Sequence, residues 1–310
     1  MIKSILVPGS GATAGINTIK SLKLGGFSGS ITATDSNNLS AGFYLADKSQ
    51  VLPEIDNDKY FEKLKDLIIQ NKIDLLMPSS GFDIIPFSKF KKEIEELNVT
   101  VVVSDIKTIE NCTDKIKTFE LLNKKFDLPF TTTNSDSIEE FPVFAKPRFG
   151  KGGRDSFILE NKEELSYLEN KFDNMIFQEF LPGKELTIDV LSDLKGNPLI
   201  AVPRVRLLVK GGISVQGKII RDENVESICL ELAKTLGIRG PCCIQMKESK
   251  EGKMKLVEIN PRLGGGTIFA TLAGVNFPSM IVDLAEKNEV VIPEISEITV
   301  IRYFEEIIIK

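Results

Sequence analysis

The chain has 310 residues, of which 42% are hydrophobic and 27% charged, with a formal net charge of -5; this suits a soluble protein of two or three domains and excludes a surface rich enough in Lys and Arg to grip nucleic acid. No apolar run reaches the length of a membrane span, and MIKSILVPGS runs into a strand rather than a signal peptide, so a cytoplasmic protein with no membrane partner is expected. The chain holds no histidine, which removes Ser-His-Asp and Cys-His catalysis, HExxH zinc chemistry and any histidine base.

In chain order, ILVPGSGATAGINTIKSL (Ile5 to Leu22) carries a short apolar strand into a glycine-rich turn and a helix. Gly9, Gly11 and Gly15 bring backbone amides to a helix N-terminus, which suits an anion, and Asp35 at the end of SITATD stands where a ribose-binding carboxylate would. The third glycine follows the second by four residues, one more than in GxGxxG. Two readings therefore stand: an NAD(P) site of an oxidoreductase, or a plain turn between strand and helix. The runs DKSQVLP, IDLLMP and VTVVV alternate with helical stretches such as NDKYFEKLKDLIIQNK as far as Ser104, which predicts a doubly wound, mostly parallel α/β sheet. In DIKTIENCTDKIKTFELLNKKFDLP, Thr113 or Asp114 caps a linker helix that ends near Asp127.

Beyond the linker the character changes to α+β. FPVFAKP and DSFILE read as strands around a glycine-rich turn and NKEELSYLENKF as a helix; MIFQEFL, KELTIDVLSD and NPLIAVPRVRLLVK follow as strands of an antiparallel meander. DENVESICLELAKTLGI reads as an amphipathic helix, and GPCCIQMKE with KMKLVEIN as a hairpin. The alternating EITVIRYFEEIIIK predicts a final strand packed back on the body, completing the chain. The cysteines Cys112, Cys229, Cys242 and Cys243 lack CxxC spacing and read as small buried hydrophobes.

The richest stretch is KLVEINPRLGGG. Glu258 and Asn260, two apart on a strand, leave by one face, and Gln245 can add an oxygen across the hairpin; such hard donors suit Mg2+, with Mn2+ as a substitute. Arg262 just beyond could hold a carboxylate or phosphoryl group. Taken alone, the stretch fits a polar strand end at a turn equally well. Lys146 precedes Gly150, Gly152 and Gly153 in FAKPRFGKGGRD, a loop whose amides can cover phosphates or simply turn a hairpin. Glu179 and Glu185 flank a Pro-Gly turn, and Lys115 lies at the domain junction. Arg204 and Arg206 leave one face of a strand; with Arg221 they either line a pocket for a substrate carboxylate or form a solvated basic face.

In order, these features resemble the ATP-grasp superfamily, and most closely its carbamoyl-phosphate-synthase-like branch, over essentially the whole chain. The resemblance implies a pre-ATP-grasp Rossmann-like domain at residues 1–104, a linker helix at 105–127, a lid subdomain at 128–180 and a C-terminal ATP-grasp subdomain at 181–310. It further implies that Lys115 and Lys146 contact ATP phosphates under the Gly150–Gly153 loop, that Glu179 and the backbone of Leu181 read the adenine, and that Glu185 takes the ribose. Gln245, Glu258 and Asn260 would hold magnesium, and Arg262, with Lys146, would act on the acyl phosphate. The PGSGATAG loop, Gly11 included, would then face the acceptor substrate. Asp155 and Ser156 depart from the family's glycine and apolar residue.

The implied reaction is ATP-dependent activation of a small carboxylate as an acyl phosphate, captured by an amine, in a chain that could pair as a homodimer. Phosphorylation of bicarbonate or carbamate, a non-catalytic nucleotide-binding subunit and the NAD(P) oxidoreductase are the other readings.

Overall fold

The short apolar runs of the N-terminal part form one parallel sheet, ordered β3-β2-β1-β4-β5, from β1 (Ser4–Pro8), β2 (Ser30–Asp35), β3 (Lys48–Val51), β4 (Leu75–Leu76) and β5 (Thr100–Val101). The computed structural model describes residues 1–81, 83–150 and 153–309. All of β1 is buried, because the helices α1 (Thr13–Leu24), α2 (Gly42–Leu45), α3 (Tyr60–Asn71), α4 (Ile84–Lys89) and α5 (Lys91–Glu95) belong to the crossovers that cover such a sheet. Strand order reverses between β1 and β4, where the loops leave a crevice.

At that end the left-handed residue of the glycine turn is Gly9, with φ +61°, and a Cβ there would stand 2.8 Å from the Ser80 side chain. Gly11 has no positive φ; its amide donates to Asp35 Oδ2 at 2.7 Å. Gly9→Ala should therefore cost about 1–3 kcal/mol of stability, read as a lower Tm. Gly11→Ala, whose Cβ meets Asp35 and Ser40 oxygens at 3.0 Å, should cost less and leave MgATP affinity within about twofold, since the change lies outside the candidate nucleotide site.

Two helices follow, α6 (Ile106–Thr113) and α7 (Lys115–Leu122). Asp114 is the cap of α7, accepting from the amides of Ile116 at 3.1 Å and Lys117 at 3.3 Å; Thr113 instead returns its hydroxyl to the Ile109 carbonyl. The helix stops at Leu122, short of Asp127. An antiparallel sheet ordered β6-β9-β7-β8 comes next, from β6 (Thr131–Thr132), β7 (Val143–Pro147), β8 (Phe157–Leu159) and β9 (Met175–Glu179). Helix α8 (Lys162–Lys171) packs Leu165 and Leu168 on its Val143, Ala145 and Phe177.

The third sheet, ordered β14-β13-β10-β11-β12-β15, comprises β10 (Glu185–Ser192), β11 (Pro198–Lys210), β12 (Ile213–Ile219), β13 (Pro241–Glu248), β14 (Met254–Asn260) and β15 (Thr299–Ile301). One face is apolar: Leu186, Ile188, Val190, Ile244, Met246 and Leu256 pack on Cys229, Leu232 and Ala233 of α9 (Glu223–Leu236). Alternation sends Glu185, Thr187, Asp189, Arg204, Arg206 and Gln245 to the other face. On β14 the alternation changes phase: Gln245 opposes Glu258 while Met246 opposes Leu256, so Val257 is the extra residue of a β-bulge. The bulge keeps Leu256 and Ile259 on the apolar face, three positions apart, and turns Glu258 and Asn260 to the polar one.

Helices α10 (Thr267–Leu272) and α11 (Phe277–Ala285) pack against α1, and one core joins Ile5, Val7 and Ile31 of the first sheet to Ile200 and Val202 of the third through Phe269 and Ile281. The four cysteines are buried and free, as expected. The C-terminal expectation is corrected: the strand ends at Ile301, and Tyr303 and Phe304 are 82% and 93% exposed, because among the described residues the last backbone bond to the sheet is Arg302 N to Val215 O. Among the described residues no helix is long and apolar enough to cross a membrane.

Candidate active site

Three elements meet over the polar face of the six-stranded sheet. The sheet itself brings Gln245 directly opposite Glu258 and Cys243 opposite Asn260. The Asn260 amide donates to Glu258 Oε1 at 3.1 Å, and Arg262 Nη2 donates to Asn260 Oδ1 at 3.1 Å. From the four-stranded sheet comes Lys146, 6% exposed, with Nζ 3.4 Å from the Val257 carbonyl on the bulge. From the start of α7 comes Lys115, whose Nζ donates to the carbonyls of Pro147 at 3.2 Å, Arg148 at 3.3 Å and Gly150 at 3.4 Å.

Burial brings the Lys146 ammonium down to about 8; the Glu258 carboxylate pulls the other way, Lys115 adds to the lowering, and Glu185 opposes it. Burial lowers Lys115 too, again against Glu258. Among the described residues neither lysine makes an ion pair, and Arg262 Nε is buried without a partner. Two lysines thus share the field of one carboxylate, and Arg262 reaches the Asn260 beside it, an arrangement with unmet demand for anions.

Among the described residues no three His, Cys, Asp or Glu side chains gather as a cage. One carboxylate and two carboxamides on one sheet face fit a hard cation that takes its remaining ligands from phosphate oxygens and water.

The structure also fixes partners that sequence reasoning left unassigned. Asp114, besides capping α7, receives a two-pronged ion pair from Arg148, Nε to Oδ1 at 2.8 Å and Nη2 to Oδ2 at 2.7 Å, and holds the strand end after Lys146 against α7. The Glu179 carboxylate is gripped by Lys255 Nζ at 2.7 and 2.6 Å, which ties the link between the two antiparallel sheets to β14. In that link Leu181 is buried, and Gly183 N bonds the Glu248 carbonyl. Glu185 is ion-paired with Arg206. Gly153 has φ +69°; Gly152 lies outside the described residues.

The expected arginine pocket does not form. Arg204 and Arg206 share a face and both reach Ser214 Oγ, at 2.8 and 3.2 Å, but Arg221 turns to Glu226 on α9, at 2.8 and 3.0 Å. Nor are the first two a solvated basic face: Arg204 is 2% exposed and lies against Phe269 beneath Gly266, where a Cβ would stand 2.1 Å from its Nη2. Arg302, unremarked in the sequence, packs on the same Phe269 ring. In the N-terminal turn, Asp35 accepts from the Gly11 and Asn37 amides, so the carboxylate proposed for a ribose closes its own turn.

Comparison with known proteins gives two family matches: "PylC-like, N-terminal domain" over residues 5–102 and "ATP-grasp in the biosynthetic pathway with Ter operon" over residues 171–307. The carbamoyl-phosphate synthase of Methanobrevibacter smithii is 26% identical over 282 residues, covering 81% of this chain and 73% of the relative. The carbamoyl phosphate synthase large chain of Clostridium botulinum is 25% identical over 301 residues, 84% of this chain, and the chain spans only 27% of that relative's length. Among solved structures, the biotin carboxylase domain of Hydrogenobacter thermophilus 2-oxoglutarate carboxylase, described with MgADP and bicarbonate, matches with TM-score 0.73 and 20% identity over 92% of this chain and 70% of its own. The L-amino acid ligase of Bacillus licheniformis matches with TM-score 0.67 and 16% identity over 92% of this chain and 74% of its own; at these identities both matches speak for the fold. The two family matches, the carbamoyl-phosphate synthase relatives and the shared fold agree on the ATP-grasp superfamily and its carbamoyl-phosphate-synthase-like branch.

Proposed function

We propose that this chain is a cytoplasmic, Mg2+- and ATP-dependent ligase that activates a small carboxylate as an acyl phosphate and joins it to an amine. The observation that carries the reading is that Lys115 and Lys146, neither in an ion pair among the described residues, both lie within the field of the Glu258 carboxylate, while Arg262 bonds the adjoining Asn260. Magnesium, held by Gln245, Glu258 and Asn260, would supply charge neutralisation to the phosphates. Lys146, buried, and Lys115, half-buried, bind the phosphates as point charges, worth more than surface lysines because water is largely excluded. Arg262, anchored by Asn260 Oδ1 and the Leu263 carbonyl, presents its guanidinium to the acyl phosphate. The nucleoside would rest against the link from Glu179 through Leu181 to Glu185, with Glu179 and the Leu181 backbone reading the adenine and Glu185 the ribose. The division at residues 104, 127 and 180 and a homodimer belong to the same proposal; the Hydrogenobacter domain is described as a dimer.

Phosphorylation of bicarbonate or carbamate is the second reading, favoured by the carbamoyl-phosphate synthase relative. Thermal melts with MgATP and with NADPH, followed by ADP release over a panel of small carboxylates with and without amines, test both. MgATP should raise Tm, by about 2.7 kcal/mol of stabilisation at a hundredfold excess over Kd, and NADPH should not. ADP release that requires an organic acid and an amine supports the ligase; release with bicarbonate alone supports the second reading; a shift with NADPH only would overturn both.

A further inference from the structure

The loop that follows the candidate metal strand is held from outside its own sheet. The carbonyl of Gly265 accepts two hydrogen bonds, one from Asn17 Nδ2 at 2.7 Å and one from Arg302 Nη2. Asn17 belongs to α1, in the first sheet's layer, and is 6% exposed. Asparagine is a poor helix former in mid-helix, since its amide competes for backbone bonds. Here the amide leaves the helix altogether and spends a donor on a residue 248 positions away. One turn earlier, the Thr13 side chain lies 3.6 Å from where a Gly265 Cβ would be, so α1 lies directly along this loop.

From Gly265 the chain reaches Arg262 in three residues, too short a path to absorb a displacement. Arg262 in turn bonds the Leu263 carbonyl at 2.9 Å and Asn260 Oδ1 at 3.1 Å. A second bond closes the loop across Gly265 and ties it to the sheet: Gly264 N donates to Thr267 Oγ1 at 2.9 Å, and that hydroxyl lies 3.3 Å from the buried Asp189. The docking of α1 on its neighbours has separate contacts, Ser21 Oγ with Thr271 Oγ1 at 2.8 Å and the Asn276 amide on the Ser21 carbonyl at 2.7 Å. Asn17 therefore addresses the loop and Ser21 addresses the packing.

We propose that Asn17 is a positioning residue: by donating to Gly265 it lets the N-terminal layer set the place of Arg262, with Arg302 as the second arm. The catalytic consequence rests on the ligase reading; the hold on the loop does not.

The test compares Asn17→Asp, which keeps shape and as a carboxylate cannot donate, with Ser21→Ala in the full chain at a pH where carboxyl groups are ionised. Hydrogen exchange in the ligand-free protein should show the Gly264 and Thr267 amides of Asn17→Asp exchanging about tenfold faster, the loss expected for one hydrogen bond. Ser21→Ala should stay within about twofold of wild type at the same amides. In ADP formation, Asn17→Asp should lose about tenfold in kcat with KM for MgATP unchanged, because a misplaced group that acts only in the reaction affects kcat alone. Should that variant not fold, Asn17→Ala removes the donor without burying a carboxylate and carries the same expectations. Wild-type exchange at Gly264 and Thr267, equal acceleration in the Ser21 variant, or accelerated exchange with unchanged kcat would each overturn the proposal. A wild-type protein that forms no ADP would sink the ligase reading, while the exchange ratio would still decide whether Asn17 holds the loop.

Discussion

Glu258→Gln should give a folded protein that forms ADP at least about a hundredfold more slowly than wild type. Glutamine keeps the length of the side chain and an oxygen that can accept from the Asn260 amide, now 3.1 Å from Glu258 Oε1, so the melting temperature should stay close to wild type. What is lost is the one carboxylate among the Gln245, Glu258 and Asn260 donors. The same charge opposes the lowering of Lys146 and Lys115. Its removal should therefore also shift the pH at which MgATP affinity falls toward lower values. ADP release and calorimetric titration at several pH values check both halves; wild-type turnover in the variant would remove Glu258 from the metal site.

Lys146→Ala should weaken MgATP binding by about ten- to a hundredfold, as for loss of a buried charge-assisted contact, whereas Lys250→Ala, on an exposed turn, should change it by less than about twofold. The titration of Lys146 adds a signature with two opposite signs. Its ammonium loses its proton near 8 in the folded protein against 10.5 in the open chain. Phosphate binding needs the charged form, so affinity should decline as pH rises through about 8. Folding responds the other way: between about 8 and 10.5 the unfolded chain binds more protons, so this lysine's contribution to stability improves with rising pH. Isothermal titration and denaturant melts from pH 7 to 10 would resolve the two slopes. Both should vanish in Lys146→Ala; an affinity slope that survives there belongs to another group.

Much of the candidate site could be read from the sequence because it lies on short-range patterns. Glu258 and Asn260 are two apart on a strand, Gln245 sits on the adjoining strand of a hairpin, and the observed register sets it opposite Glu258. Asp114 followed by Lys115 announces a capped helix. What escaped was long-range. The Asp114–Arg148 and Glu179–Lys255 pairs join elements that become neighbours only when the sheets stack, and Asn17 and Arg302 meet at Gly265 from opposite ends of the chain. Alternation put Arg204 on the correct face, yet alternation says nothing of what covers that face; Phe269 and Gly266 close over it. The C-terminal run has the pattern of a long strand, but among the described residues its backbone contacts with β12 span only Val215 to Ile219.

The extra residue at Val257 sets the parity of β14. Counted from Leu256, regular alternation would turn Glu258 toward Leu232 and Ala233 of α9 and lift Ile259 into the cleft, so the same letters in the same order would spell a buried charge on one side and a greasy floor on the other. The bulge separates the strand into two reading frames, one belonging to the hydrophobic core as far as Leu256 and one belonging to the reaction from Glu258 onward. The irregular carbonyl it creates is the one that Lys146 approaches at 3.4 Å. Ironing the bulge flat with Val257 kept would exchange core for cleft along the end of the strand, whereas deleting Val257 would leave Glu258 and Asn260 on the face they now hold and remove only the carbonyl that Lys146 approaches.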